Sequence, residues 1–461
     1  MTSTTTADLP GAARPLPLDT NVRLSLMMFL QYGIWGAWLP LMYPFVSVHR
    51  GFEPHLIGYL FMVGGVGALF GPFIAGQIAD RYFNTEKFLG ISHLIGAVMI
   101  WQLARLETFG AFLVFSLIYS LVYAPTLALT NSLAFHHLPD RDRDFGRVRV
   151  WGTIGWIAVG IGIGQYLLRN FTPAGATEQE QLVMQTAAIA NAFKLSAILG
   201  LVMGVYCFTL PRTPPARGRK TNAAMEALGE VKRQPLITLF LLAVPISCIH
   251  QFYFVHTSLF LGGYQNKLAA VAGPINRIFG VGGGGLMTIG QISEVLVLAL
   301  MPFLAKSLSR KTLLGIGICA YALRMALFAY VEQISNTAGI PAIAVLMLGV
   351  ALHGLCFGCF IFVAFMVVDE ETTPDVRASA QNLFNLVIIG VGIIVGSVIA
   401  GYVARWATGA DKVVNYTKLF SVPLWGAVAC LVILLVMYPG GRRREIGGTR
   451  DVVEPVGGAA T

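Results

Sequence analysis

The chain has 461 residues, of which 56% are hydrophobic and only 12% charged; its mean hydropathy is +0.69 and its formal net charge +9. Soluble domains carry about 25% charged residues and cannot hide this much apolar surface, so a soluble globular class is excluded. Unbroken apolar runs of about 20 residues also exclude the alternation of a barrel. Where no water satisfies the backbone, such runs must be helices, so the chain reads as an all-α membrane protein.

Twelve transmembrane helices are predicted, over 22–46, 56–79, 88–104, 109–134, 148–168, 183–209, 235–261, 283–305, 312–331, 340–368, 381–404 and 417–438. Residues 1–21 are polar, contain prolines and lack the apolar core of a cleavable signal. They read as a disordered tail, as do the Gly- and Arg-rich residues 439–461. Most of the 32 Lys and Arg residues fall in the two tails and in every second loop, so the positive-inside rule places both termini in the cytoplasm. The basic excess is thereby a topology signal, and no nucleic-acid partner is expected. The polar stretch 211–234, with Pro211, Pro214 and Pro215 ending a helix, separates an N-terminal six-helix half (22–210) from a C-terminal one (235–438).

Along the chain, Gln31, Trp35 and Trp38 are spaced i, i+4, i+7 and share one face of the first helix. The aromatics suit an interfacial belt, but Gln31 needs hydrogen-bond partners in a dry interior. The loop GQIADRYFNTEK places Gly76, Asp80 and Arg81 in the G-x-x-x-D-R/K pattern that the major facilitator superfamily carries between its second and third helices. Six plus six helices with both ends inside is also that superfamily's architecture, in which repeats pack around a site at mid-membrane. Read as a facilitator signature, the loop governs conformational change; otherwise it is an ordinary turn.

Arg149, Thr153 and Trp156 again follow i, i+4, i+7, offering a cation, a hydroxyl and an indole on one stripe. Arg149 could alternatively snorkel toward its charged loop. His250, Gln251 and His256 cluster on the seventh helix and suggest a cavity wall. The glycine run at 281–285 lacks the GK[ST] of a phosphate loop and reads as a flexible entry to the eighth helix.

In that eighth helix, Glu294 is the single charge in GLMTIGQISEVLVLALMPFLA, with Gln291 one turn earlier on the same face. A carboxylate at bilayer depth costs roughly 2.5–3.5 kcal/mol on insertion scales, so a functional role is the default reading. An acid beside an amide, facing a bundle interior, suits proton-coupled transport; the alternative is a structural ion pair. His353 and Phe357 share a face of the tenth helix, where the histidine fits either titration and donation to a substrate or simple packing. His93, Lys194 and Arg324 are intramembrane too, and the last two read either as structural counter-charges or as side chains reaching toward a membrane edge. All six cysteines fall within or at the ends of helices, so neither a disulfide framework nor a metal site is expected, and no cofactor.

The segments APTLALTNSLAF, RVWGTIGWI, GQISEVLVLALMPF, ALRMALFAY and RASAQNLF are similar, in order, to those of the bacterial nucleoside:proton symporters, a branch of the major facilitator superfamily. The resemblance covers about residues 24–438. It implies import of nucleosides with protons across the cell inner membrane. It carries the family's binding residues onto Arg149, Thr153, Trp156, Gln291 and Glu294, with His353 and Phe357 on the tenth helix and Gln251 nearest its helix-seven amides. Gly358 stands where the family has an acid, a departure that bears on proton coupling.

The expected function is therefore nucleoside uptake by alternating access. The proposed substrate contacts are Arg149, Thr153, Trp156, Gln291, Glu294, His353, Phe357, Gln31 and Gln251, with Glu294 coupling the proton. No obligate protein partner is implied beyond the lipid bilayer. Two other readings stay open on the residues alone: a sugar or oligosaccharide permease of the same superfamily, and a nucleoside sensor that does not transport. No nucleophile triad, metal cluster or phosphate loop supports an enzyme.

Overall fold

The computed structural model describes residues 15–74, 83–214, 231–373 and 376–440. Among them, eleven helices are long and apolar enough to cross a membrane. They are α1 (Leu18–His49), α2 (Pro54–Gly71), α4 (Phe109–His137), α5 (Arg143–Asn170), α6 (Glu178–Cys207), α7 (Leu236–Lys267), α9 (Gly284–Ser307), α10 (Arg310–Ala329), α12 (Ala342–Glu371), α13 (Ser379–Ala407) and α14 (Tyr416–Met437). A further long helix, α3 (Thr85–Leu103), carries Glu86, Lys87 and His93, which lower its apolarity. Two short helices, α8 (Ala269–Phe279) and α11 (Val331–Ala338), lie between the long ones.

Several boundaries differ from the sequence expectation. The first helix begins at Leu18, inside the segment expected to be a disordered tail. The helical ladder of α5 reaches back to Arg141, because the Asp140 side chain accepts from the Arg143 N–H and caps it. The fifth helix thus projects well beyond its apolar stretch. Gly76, Asp80 and Arg81, most of the 211–234 linker and nearly all of 439–461 lie outside the described residues.

Packing is helix on helix throughout. The broadest contacts join α1 to α5, α2 to α13, α3 to α6, α10 to α14 and α2 to α4. The helices before and after residues 215–230 meet along two seams, α2 with α13 and α5 with α9. Small residues make the first seam close: a Cβ at Gly58 would meet the Ser397 carbonyl at 2.7 Å, and one at Gly65 the Gly390 carbonyl at 2.8 Å. Regular winding is interrupted where the ladder is strained. Pro40 and Pro44 accompany a tight turn at Leu39–Leu41 and a wide one at Phe45–His49 in α1. Wide π turns also interrupt α12 at Cys356–Phe362 and α13 at Leu386–Val391, and such turns are frequent at functional sites.

The glycine run before α9, expected as a flexible entry, is closely packed against α5 and α7. Gly280, Gly282 and Gly283 hold φ of 74°, 85° and 79°, a region that favours glycine. A Cβ on Gly280 would collide with the Gly164 backbone, and one on Gly283 with that of Ser258. The Val281 N–H donates to the Gly164 carbonyl at 3.0 Å, and the Gln165 amide donates to the carbonyls of Asn276, Arg277 and Ile278. Glycine is needed here because two backbones touch across the α5–α9 seam.

Candidate functional site

Glu294 lies at the middle of α9, where the helix runs between α5 and α12. Its neighbours on α5 come from the predicted stripe. Arg149 is near enough for its charge to interact with that of Glu294. Farther along the seam, Gly160 packs on Thr288, one turn before Gln291. The seam between the two sets of helices thus brings Arg149 of the first stripe near Glu294 of the second.

An aromatic wall stands behind the α5 stripe. The Arg149 guanidinium sits 4.0 Å from the centre of the Tyr32 ring, a cation–π contact that holds it off the membrane surface. Trp156 packs edge-on against Trp35 at 5.7 Å, and Trp35 leans on Tyr123 at 6.2 Å. Gly36 allows this approach, since a Cβ there would already stand 3.0 Å from Trp156. Arg149 and Thr153 remain partly exposed, which leaves the hydroxyl and the guanidinium available.

On the other side of α9, α12 crosses at Gly354. Its N–H donates to the Ser293 hydroxyl at 2.9 Å, and a Cβ there would overlap the Ser293 backbone. The crossing places His353, only 2% exposed, with Nε2 3.6 Å from Glu294 Oε2, while the Glu294 side chain remains 23% exposed. Phe357 sits one turn farther along within the π turn, partly buried. Gly358 faces α9 instead of open space, because a Cβ there would meet Val297 at 2.6 Å. The close packing leaves no room for an acidic side chain at that position.

Two expected site amides are otherwise occupied. Gln31 is fully buried; its Nε2 donates to Thr126 at 2.9 Å, its Oε1 pairs with His93 at 2.8 Å, and its carbonyl accepts from the Tyr123 hydroxyl. Gln251 donates to the Ser397 hydroxyl at 2.8 Å and packs against Gly396, so it faces α13. Both amides tie helices together, and spacing alone could not tell this use from exposure to a cavity. His256 likewise packs against Tyr43 at 4.8 Å and pairs with the Ala400 carbonyl.

The structure adds residues that sequence reasoning set aside. Arg324 of α10, read as a structural counter-charge, is fully buried, and its Nη1 lies 3.1 Å from His353 Nδ1. Its Nε and Nη2 have no hydrogen-bond partner, and its guanidinium rests 4.3 Å above the Tyr253 ring and 5.1 Å from that of Tyr321. Tyr253 stacks on His353 at 4.9 Å, and His250 stacks on it at 5.4 Å while pairing with the Tyr321 hydroxyl at 2.7 Å. The available signal was a lone arginine in an apolar helix, which carries the same cost argument as Glu294. Gln291 Oε1 is also buried without a partner. A buried acceptor without a partner costs free energy until some donor reaches it.

The family model described as nucleoside H+ symporter matches residues 18–442. YegT of Escherichia coli (strain K12) is 32% identical over 91% of this chain and 93% of its own length. The nucleoside permease NupG of the same organism is 28% identical over 94% of this chain and 100% of its own length. A crystal structure of the nucleoside transporter NupG superposes with a TM-score of 0.76 at 25% identity, covering 91% of this chain and 98% of that one.

Proposed function

Since the chain belongs to the nucleoside H+ symporter family and is a transporter rather than an enzyme, we propose how its own residues divide that work. The substrate sits between α5, α9 and α12. The base stacks against Trp156 and Phe357, while the ribose hydroxyls bond to Arg149, Thr153, Gln291 and Glu294. Glu294 exchanges the proton. The observation that carries this reading is the position of Glu294: a partly exposed carboxylate at mid-helix, beside Arg149 from one set of helices and His353 from the other. A group touching both sets is placed to make their relative movement depend on its charge and on what it binds.

Counting α3 as a span gives twelve, with six on each side of residues 215–230 and both termini cytoplasmic by the distribution of Lys and Arg. The chain then resides in the cell inner membrane. The described contacts favour a state closed toward the outside. At the ends of α6 and α7 remote from the linker, Gln185 and Asn266 exchange amide hydrogen bonds at 3.2 Å, and Tyr43 meets His256 nearby. At the linker end, the described pairs include His137 with Thr213 and Arg310 with Glu370.

The test is uptake of labelled uridine by cells expressing the chain, with and without a protonophore. Saturable uptake that collapses with the proton gradient is the expected result. Saturable uptake indifferent to the protonophore would overturn the coupling role of Glu294 while leaving the substrate contacts standing.

A further inference from the structure

We infer that Arg324 and His353 are positioning residues for proton coupling: the buried guanidinium fixes the tautomer of His353, which then presents a neutral N–H donor to the Glu294 carboxylate. The inference rests on Glu294 being the acid that exchanges the proton.

The argument begins with donor counting. A guanidinium has only donors. With Arg324 Nη1 3.1 Å from His353 Nδ1, that nitrogen must accept, so the ring hydrogen is on Nε2. Nε2 is the atom that faces Glu294 Oε2 at 3.6 Å, one small side-chain shift from a hydrogen bond. The ring has little freedom to turn. It is 2% exposed, lies near-parallel to Tyr253 (21°) and His250 (29°), and meets the edge of Phe254 at 5.9 Å.

The titratable and charged groups against the imidazole are His250 and Tyr253 of α7, Glu294 of α9 and Arg324 of α10, with Tyr321 reaching it only through His250 and Arg324. Among these described neighbours, the charges belong to Arg324 and Glu294. Adding a second proton at Nδ1 would set an imidazolium against the guanidinium at contact distance, which like-charge repulsion opposes. The histidine therefore stays neutral, and the mobile proton resides on the carboxylate. An ionised Glu294 lies between two cations, Arg149 of α5 beside it and Arg324 of α10 across the imidazole; a protonated one leaves both without that counter-charge. The N–H donor of His353 adds to the groups that favour the ionised acid.

The experiment compares wild type with His353→Gln, His353→Leu and Glu294→Gln in proteoliposomes, reading labelled-uridine accumulation across a pH series and binding without a gradient. His353→Gln is expected to keep the wild-type pH dependence, whatever its rate, because its carbonyl can accept from Arg324 while its amide donates toward Glu294. His353→Leu removes the donor, so the carboxylate holds its proton to higher pH. The pH profile should then move upward by about one unit, the order expected for one charge-assisted hydrogen bond. Should the leucine variant fail to reach the membrane, His353→Asn, too short to bridge both partners, gives the same comparison.

A wild-type pH profile in the leucine or asparagine variant would overturn the proposal and reduce His353 to packing. Loss of proton dependence in His353→Gln with binding intact would overturn it differently, making His353 itself the carrier. Wild-type accumulation by Glu294→Gln would instead remove the underlying reading of Glu294.

Discussion

Two buried polar clusters in this molecule, around Gln31 and around Glu294, are built differently. Around Gln31, both ends of the amide are matched by His93 and Thr126, and the backbone carbonyl accepts from Tyr123. Around Glu294, Gln291 Oε1, Arg324 Nε and Nη2 and the Tyr253 hydroxyl lack partners, and the carboxylate is partly exposed. A satisfied network rigidifies helices and has nothing left to offer a ligand. An unsatisfied one costs stability in the empty protein and returns it when a substrate supplies the missing partners.

The comparison can be broken most sharply at Glu294. Glu294→Gln should abolish protonophore-sensitive nucleoside accumulation while the protein still inserts; accumulation at the wild-type level would place the site elsewhere. Next comes Trp156→Ala, which removes a stacking face. Base–aromatic stacking is worth roughly 1–3 kcal/mol, so apparent affinity should fall by about 5- to 150-fold, read as a rise in KM.

Gln31→Leu tests the other side of the contrast. It strands His93 and Thr126 and should destabilise the folded protein by about 1–3 kcal/mol, seen in thermal unfolding in detergent. The KM for nucleoside should hardly change; a large rise in KM would mean that Gln31 touches substrate after all.

The smallest effect is expected at Glu332, on α11 between two long helices. The Lys267 ammonium and the Tyr264 hydroxyl, each 2.8 Å from its carboxylate, hold that carboxyl below its ordinary range. Its contribution is therefore complete above the ordinary carboxyl value and is lost as pH falls through the lowered one. With both charged side chains about half exposed, Glu332→Gln should change stability by only about 0–1 kcal/mol at neutral pH.

How much of this was legible beforehand varies with the kind of signal. The stripe of Arg149, Thr153 and Trp156 and the pair Gln291 and Glu294 were found by spacing, because helical geometry puts i, i+4 and i+7 on one face regardless of the rest of the fold. Spacing could not show which way that face turns. Gln31 and Gln251 share the pattern of site residues, but their partners Thr126 and Ser397 are distant in sequence and meet them only after packing. Arg324 was visible as a charge, but its link to His353 joins helices α10 and α12 through a contact that no local rule encodes.

Composition and hydropathy by themselves determined that the chain is a bundle of membrane helices, because a backbone without water has almost no other way to satisfy itself. The lone carboxylate at Glu294 singled out α9 as the candidate functional helix, since the cost of placing a charge in an apolar helix is a local property of the sequence. Tertiary structure alone decided which polar groups are satisfied and which are left open. It also packed the glycines around 281–285, an apparent flexible entry, against the backbones of α5 and α7. Both outcomes depend on groups far apart in the chain, whose meeting is fixed by how whole helices pack and not by any residue's own preference.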